Sequence, residues 1–486
     1  MAAEADSTVK FSEDLRIMPS ADAEAECEIP VERKNAAMFE KHREHEPMAA
    51  EANWIVEVIG DIPNAQAEAE CWKEWSIYKL PACVTALKPK AYSPQAVSFG
   101  PYSPQAVSFG PYHHDEKHLK PMEEHKVRAL RHFLKRSKRP SYLFDRAVRE
   151  VLPDLMACYH PLDWKWEDDK DAFLKIMILD GCFMLEILRT GTDTVNDYAP
   201  DDPIFSKHGE INIMPYIQRD MLMLENQLPM LVLEKLLAVE NETGNSKDEE
   251  VVNQLILKFC CPHMPIVKMG KCLHLLDVVR RRLLHEGPSK MTRRRKSDMA
   301  RKDGYEIIRS ATELVEAGIK FKKSKTKSLR DVSFSRGELS LPVTDVDDTT
   351  ESMFLNLIAF ERFHIRAGNE VSSYIFFMDK IIDNERDVAL LHSRGIIKNA
   401  MGSDKEVAKL FNSLSKDITL DPNCILDVVH KKVNGYCKKP WNMWRANLIH
   451  TYFRSPWAML SLIAAIFLFA LTIVQTFYSI LDFYQN

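Results

Sequence analysis

Phe173-Leu-Lys-Ile-Met-Ile-Leu-Asp-Gly-Cys-Phe-Met-Leu-Glu-Ile-Leu188 is the stretch on which the fold turns. Phe173, Ile176, Leu179, Phe183 and Ile187 recur three or four apart, the period of one helix face. A strand would alternate every second residue, and this run does not. It therefore reads as a helix with a buried stripe. Working outward, Met122–Leu134 reads as a helix charged on one face. Met221–Leu237 is apolar but interrupted by Glu225-Asn226-Gln227 and by Pro229, which removes a backbone donor and should kink or end a helix. Val251–Phe259, Lys271–Leu284, Glu406–Leu414 and Trp441–Tyr452 read as further helices. Ile307, Ile308, Ala311, Leu314 and Val315 form another stripe, closed by Gly318 as a C′ cap. Ile319–Phe321, Val332–Phe334 and Leu339–Leu341 alternate as short strands, with Ser335–Glu338 as a hairpin turn. Thr350 is placed to cap a helix carrying Phe354, Leu357 and Ile358. The expected fold is mainly α with a small β component, a helical globular body plus one C-terminal transmembrane helix.

Composition narrows the function. Of 486 residues, 45% are hydrophobic and 28% charged, which is globular composition. There are 65 Lys+Arg against 70 Asp+Glu, a net charge of −5. Glycine is scarce, 16 residues, and the closest pair is Gly395 and Gly402. Hence no G-x-G-x-x-G, no G-x-x-x-x-G-K-[ST] and no G-x-S-x-G occurs. Those motifs use glycine where backbone meets a phosphate or makes a strained turn. Rossmann dehydrogenases, P-loop NTPases, protein kinases and nucleophile-elbow hydrolases lose their sequence support. The 10 cysteines form no C-x-x-C and read as reduced thiols. Cys260, Cys261, His263, Cys272 and His274 are the best candidate zinc set, but their spacing fits no standard finger. No metal and no cofactor is expected.

The chain's end departs from the average. Ser455 to Leu481 contains no charged residue, and Trp457–Val474 is nearly all apolar. As a helix it would run about 40 Å at about 1.5 Å per residue, enough for a hydrocarbon core of about 30 Å. Trp457, Leu460, Ile463, Phe467, Leu471 and Val474 are the expected membrane anchor, with Trp457 and Phe477, Tyr478, Tyr484 as interfacial aromatics. Lys431, Lys432, Lys438, Lys439, Arg445 and Arg454 precede the span, and Lys or Arg are missing from 482–486. Positive-inside places the N-terminal body in the cytosol and 482–486 on the other side, in a plasma membrane or endomembrane that the charges do not choose.

Residues 1–70 read as a weakly ordered acidic leader. Its start, Met1–Arg16, lacks the apolar segment of a signal peptide. Residues 71–450 form the helical domain, and 455–481 the transmembrane helix. Ser93-Pro-Gln-Ala-Val-Ser-Phe-Gly-Pro-Tyr102 is copied as Ser103–Tyr112. Val97/Phe99 and Val107/Phe109 read as short strands or extended segments, each closed by a Gly-Pro turn.

Three clusters could carry chemistry. His113-His114-Asp115-Glu116 is the densest titratable set, read as a polar helix start or a catalytic group. Asp180, Glu186, Asp220 and Glu225 lie in apolar runs. They could act as paired acid–base groups. Structurally they would accept hydrogen bonds or pair with Arg189 and Arg219. A basic loop at about 280–302 offers an interaction surface: Arg280, Arg281, Arg282, Arg293, Arg294, Arg295 and Lys296. Nucleic acid or anionic lipid are its sharp readings. Without stacking aromatics, nucleic acid is the weaker one. The Asp345, Asp347, Asp348 set lacks EF-hand spacing and reads as a strand-to-helix connection.

In order along the chain stand Val-Ser-Phe-Gly-Pro-Tyr-His-His114, Glu123-Glu124-His125-Lys126, Asp180–Glu186 and Leu224-Glu225-Asn226-Gln227-Leu228-Pro229. His274-Leu275-Leu276-Asp277, Ser310–Leu314 with Ala317-Gly318, and Asn356–Glu361 follow. Gly402-Ser403-Asp404, Trp441–Ala446 and the final span complete the set. Together they resemble the plant family called domain of unknown function 247, from about Trp75 to Leu481. The duplicated block and Asp115, where glycine is usual, depart from its pattern. The resemblance implies a largely helical plant protein with a C-terminal membrane anchor and no accepted catalytic residue. Some grass members resemble determinants of pollen self-incompatibility. The expectation is a membrane-anchored, non-enzymatic recognition or signalling module with a bilayer and a protein as partners and no small-molecule substrate. A hydrolase or transferase built on 113–116 and the buried acids, and nucleic-acid binding through 280–302, are the alternatives.

Overall fold

The computed structural model describes residues 74–86, 88–94, 107–192, 197–242, 247–285, 309–416, 418, 426–449 and 456–485. The expected leader, the first copy of the repeat beyond Pro94, and Arg293, Arg294, Arg295 and Lys296 lie outside them.

The chain is mainly helical, with strands of two to four residues. Helix Lys170–Thr190 is the centre of the N-terminal half. It packs against helices Lys120–Ser137, Ser141–Arg149, Met230–Asn241 and Lys247–Cys260. The expected stripe understates its burial. Leu179 is only half-buried, whereas every residue from Asp180 to Leu188 is buried. A helix ringed by neighbours loses the amphipathic pattern that a surface helix keeps. Gly181 lets the 230–241 helix approach. A Cβ there would stand 2.6 Å from Leu236 Cδ1 and 2.8 Å from Val232 Cγ1.

Pro229 starts a helix instead of ending one. Helix Met214–Met221 stops, Leu224–Asn226 makes one 3-10 turn, and Met230–Asn241 begins after Pro229. Pro229 occupies the N-cap, outside the hydrogen-bonded ladder that its ring would break. Likewise the expected 271–284 helix begins only at Leu275, because the His274 side chain accepts the Asp277 amide and caps it.

The β component lies near the expected positions. Strands Lys320–Lys323 and Ser333–Ser335 both pair with Glu338–Leu341, the first parallel and the second antiparallel. Arg336 and Gly337, both at positive φ, turn the hairpin. The Ala311–Glu316 helix ends as anticipated at Gly318, whose amide bonds the Val315 carbonyl while Ile319 bonds Leu314. Ile307 and Ile308 lie outside the described residues. Thr350 is not the cap of its helix. Thr349 holds that position, and Asp347 Oδ1 accepts from the Thr349 amide and from both threonine hydroxyls.

One C-terminal helix, Pro456–Gln485, contains a 25-residue stretch, Trp457–Leu481, long and apolar enough to cross a membrane. Its most apolar 18 residues have a mean hydropathy of 2.5, and none of them is buried against the rest of the described chain.

Candidate functional site

Three of the four acids that the sequence marks in apolar runs, Asp180, Asp220 and Glu225, converge on one extended segment, 107–113. Val107 and Phe109 are fully buried, yet no strand forms there. Side chains do the pairing that a neighbouring strand would do. The Val107 amide donates to Asp220 Oδ2 at 3.1 Å, Phe109 to Asn226 Oδ1 at 2.7 Å, and Gly110 to Asp180 Oδ2 at 2.9 Å. Asn226 Nδ2 returns a bond to the Val107 carbonyl at 2.9 Å, and Lys126 Nζ donates to the Ser108 carbonyl at 2.6 Å. Gly110 has φ +73°, and a Cβ there would stand 2.9 Å from the Tyr159 hydroxyl. Both facts demand glycine.

The turn Leu224-Glu225-Asn226-Gln227 is the hub. Gln227 Nε2 donates to the Met221 and Met223 carbonyls, and its Oε1 accepts from the Leu276 amide at 3.0 Å. The Leu224 amide donates to Asn356 Oδ1 at 2.9 Å, and Asn356 Nδ2 reaches the Ala91 carbonyl at 2.8 Å. Glu225 accepts from the Leu80 amide. Segments far apart in sequence are thus joined by buried side chains, each with specific partners.

Lys126, expected on a charged face, is fully buried. Its ammonium stands 2.7 Å from both Asp180 Oδ1 and Glu123 Oε1. Burial raises the Asp180 carboxyl above the usual range while Lys126 pulls it back. Burial likewise pushes Asp220 up to about 7, against the pull of Arg219 at 2.9 Å. Glu186 is fully buried and held by Arg136, by Arg189 at 2.9 Å and by the Tyr198 hydroxyl at 2.9 Å.

The structure brings His113 and Glu225 together across the chain. His113 Nδ1 contacts Glu116 Oε1 at 2.5 Å, and Nε2 stands 3.3 Å from Glu225 Oε2. Residues 110–115 are bends and turns and the next helix begins at Lys120, so the expected helix start at 113–116 does not form. Asp115 pairs with Lys165 at the surface, and the His114 ring meets Trp166 edge-on. A histidine between two carboxylates can move protons. Here Glu225 also fixes geometry, since it holds the Leu80 amide. Burial works against the imidazolium, but Glu116 and Glu225 outweigh it and hold its pKa at about 9.

The stability consequence has a definite sign. A histidine whose pKa is raised from 6.5 to about 9 contributes fully below about pH 6.5 and loses its contribution as pH rises through 9. Melting temperature should therefore fall between pH 6.5 and 9.5, and fall less in Glu225→Gln. Equal pH slopes in the two proteins would contradict this reading.

Of the expected basic surface, the structure describes Arg280, Arg281 and Arg282. Arg280, Arg281 and Arg282 lie in helix Leu275–Leu284, and Arg280 and Arg282 are buried. Arg280 donates through Nε at 2.9 Å and Nη2 at 2.7 Å to Glu361 Oε1, and Nη2 also reaches Glu370. Arg281 is partly exposed and pairs with Asp277 at 3.0 Å. Successive helix residues point about 100° apart, so a run of three cannot share a face.

Cys158, Cys182, Cys260, Cys261, Cys272 and Cys437 are free thiols. Among the described residues, no group of three or more His, Cys, Asp or Glu is placed to hold a metal ion.

The expected anchor residues are all open. Trp457, Leu460, Ile463, Phe467, Leu471 and Val474 are each about half exposed or more. The hydroxyls of Ser461, Thr472 and Thr476 bond back to carbonyls of their own helix. That satisfies them without water.

Comparison with known proteins places the chain. A family described as a plant protein of unknown function, DUF247, matches residues 102–471. The Arabidopsis thaliana UPF0481 protein At3g47200 is 34% identical over 443 residues, covering 84% of this chain and 87% of the relative. A second UPF0481 protein of that plant, At3g02645, is 24% identical over 525 residues, covering 88% and 94%. No solved structure matches. The helical core, the 224–227 hub and the terminal apolar helix thus belong to a member of the DUF247 family of plant proteins of unknown function.

Proposed function

We propose that this protein is a membrane-anchored recognition or signalling module whose helical body faces the cytosol. The observation that carries the reading is the 25-residue apolar helix, unburied by the described residues of the body, with the Ser461, Thr472 and Thr476 hydroxyls bonded to its own carbonyls. In water such a face would exceed the few hundred Å² of contiguous apolar surface that monomers expose. A bilayer removes that cost. Lys431, Lys432, Lys438, Lys439, Arg445 and Arg454 precede the helix and favour a cytosolic body. The domain plan is a leader over 1–70, a helical body over 71–450 and a span over 455–481.

A non-enzymatic role draws support from the use made of the buried acids. Asp180, Asp220 and Glu225 are each occupied with backbone amides of distant segments. The resemblance gives the recognition reading its direction, including a self-incompatibility role for some grass members. A protein partner follows from that role. The test is removal of residues 455–486. The truncated body is expected in the soluble fraction of plant tissue. A truncated body that stays with membranes through an alkaline carbonate wash contradicts the anchor.

A further inference from the structure

Helix Pro440–Leu448 precedes the span, and its outer face has no described partner from the body. Asn442 and Ala446, four apart, are its buried side, with Asn442 Nδ2 donating to the Tyr436 carbonyl at 2.7 Å. The other side presents Trp441, 71% exposed, Trp444, 55%, and Met443, 43%. The two indole rings lie 5.2 Å apart, forming one aromatic patch. Lys432, Lys438 and Lys439 are exposed just upstream. From Val428 to Leu481 the sequence contains no Asp or Glu.

We propose that this face docks on an anionic lipid surface, with Trp441 and Trp444 at headgroup depth. The proposal rests on the reading of 457–481 as a span. Three observations select lipid as the occupant. Eight residue steps separate Leu448 from Pro456, so the chain reaches at most roughly 28 Å. If the span crosses, this helix stays that close to the bilayer. Exposed tryptophan suits the interface, where the ring is apolar and its N–H remains wet. The acid-free basic segment complements anionic headgroups. The span then fixes the protein in the membrane, and this helix fixes how the body lies on it.

The full chain, reconstituted in phosphatidylcholine vesicles with and without brominated phosphatidylserine, tests this. Flotation after an alkaline carbonate wash reports the span. The emission lost in the Trp441→Phe/Trp444→Phe variant isolates the signal of the two residues. Brominated phosphatidylserine is expected to quench that signal by half or more, with flotation unchanged in the variant. A chain that floats while that signal is unquenched overturns the docking alone, and the face then belongs to a protein. A chain that does not float overturns the span and the docking with it.

Discussion

Lys126→Met is expected to destabilise the body by about 3–5 kcal/mol, the cost of stranding one charge of a buried pair. Lys126 is fully buried and Asp180 is 1% exposed. The ammonium neutralises Asp180 and Glu123 and holds the Ser108 carbonyl at 2.6 Å. Without it, Asp180 must stay ionised in an apolar setting or take up a proton, and burial already raises its pKa. The Ser108 carbonyl also loses its donor, loosening 107–110, whose other amides depend on Asp220, Asn226 and Asp180. Lys126→Met/Asp180→Asn should lose less than the two single changes summed, because neither charge of the pair is then left buried without the other. Thermal unfolding of the four proteins measures this. A shift below about 1 °C for Lys126→Met would show the pair to be dispensable.

Arg280→Ala should be comparably severe, about 3–5 kcal/mol by the same argument. Glu361 keeps the Val371 and Ser372 amides and the Ser372 hydroxyl but loses the guanidinium that neutralises it. Its side chain is 1% exposed, so water does not replace the guanidinium. Arg281→Ala is the control. Its pair with Asp277 is partly exposed, and such pairs contribute about 0–1 kcal/mol. A basic binding surface would make the two arginines equivalent. Denaturant unfolding separates the accounts, and equal small losses would contradict the structural role of Arg280.

These two sites show what the sequence conveys and where it stops. Helix periodicity reveals that Phe173–Leu188 is helical, and the acids inside apolar runs mark themselves as unusual. Their partners are not legible. Glu361 lies 81 residues from Arg280, and Asp220 lies 113 from Val107. A charge run looks like surface until the helix phase and the distant carboxylate are known. Alternation at Val107 and Phe109 reveals extended backbone. It does not reveal that side chains, not a strand, satisfy it. Pro229 shows the same limit, since a proline that breaks one helix is equally suited to begin the next. The terminal helix was the most legible element, because an uncharged run of that length needs no partner to be recognised.

The central claim is that the 456–485 helix holds the body at a membrane. Doubly tagged full chain and the chain lacking 455–486 are compared in microsomes, one aliquot washed with carbonate and another, kept sealed, treated with protease. The account predicts that the full chain resists carbonate, with its N-terminal tag digested and its C-terminal tag protected, while the truncated body is released. A full chain that carbonate extracts, or a truncated body that stays in the pellet, would contradict it.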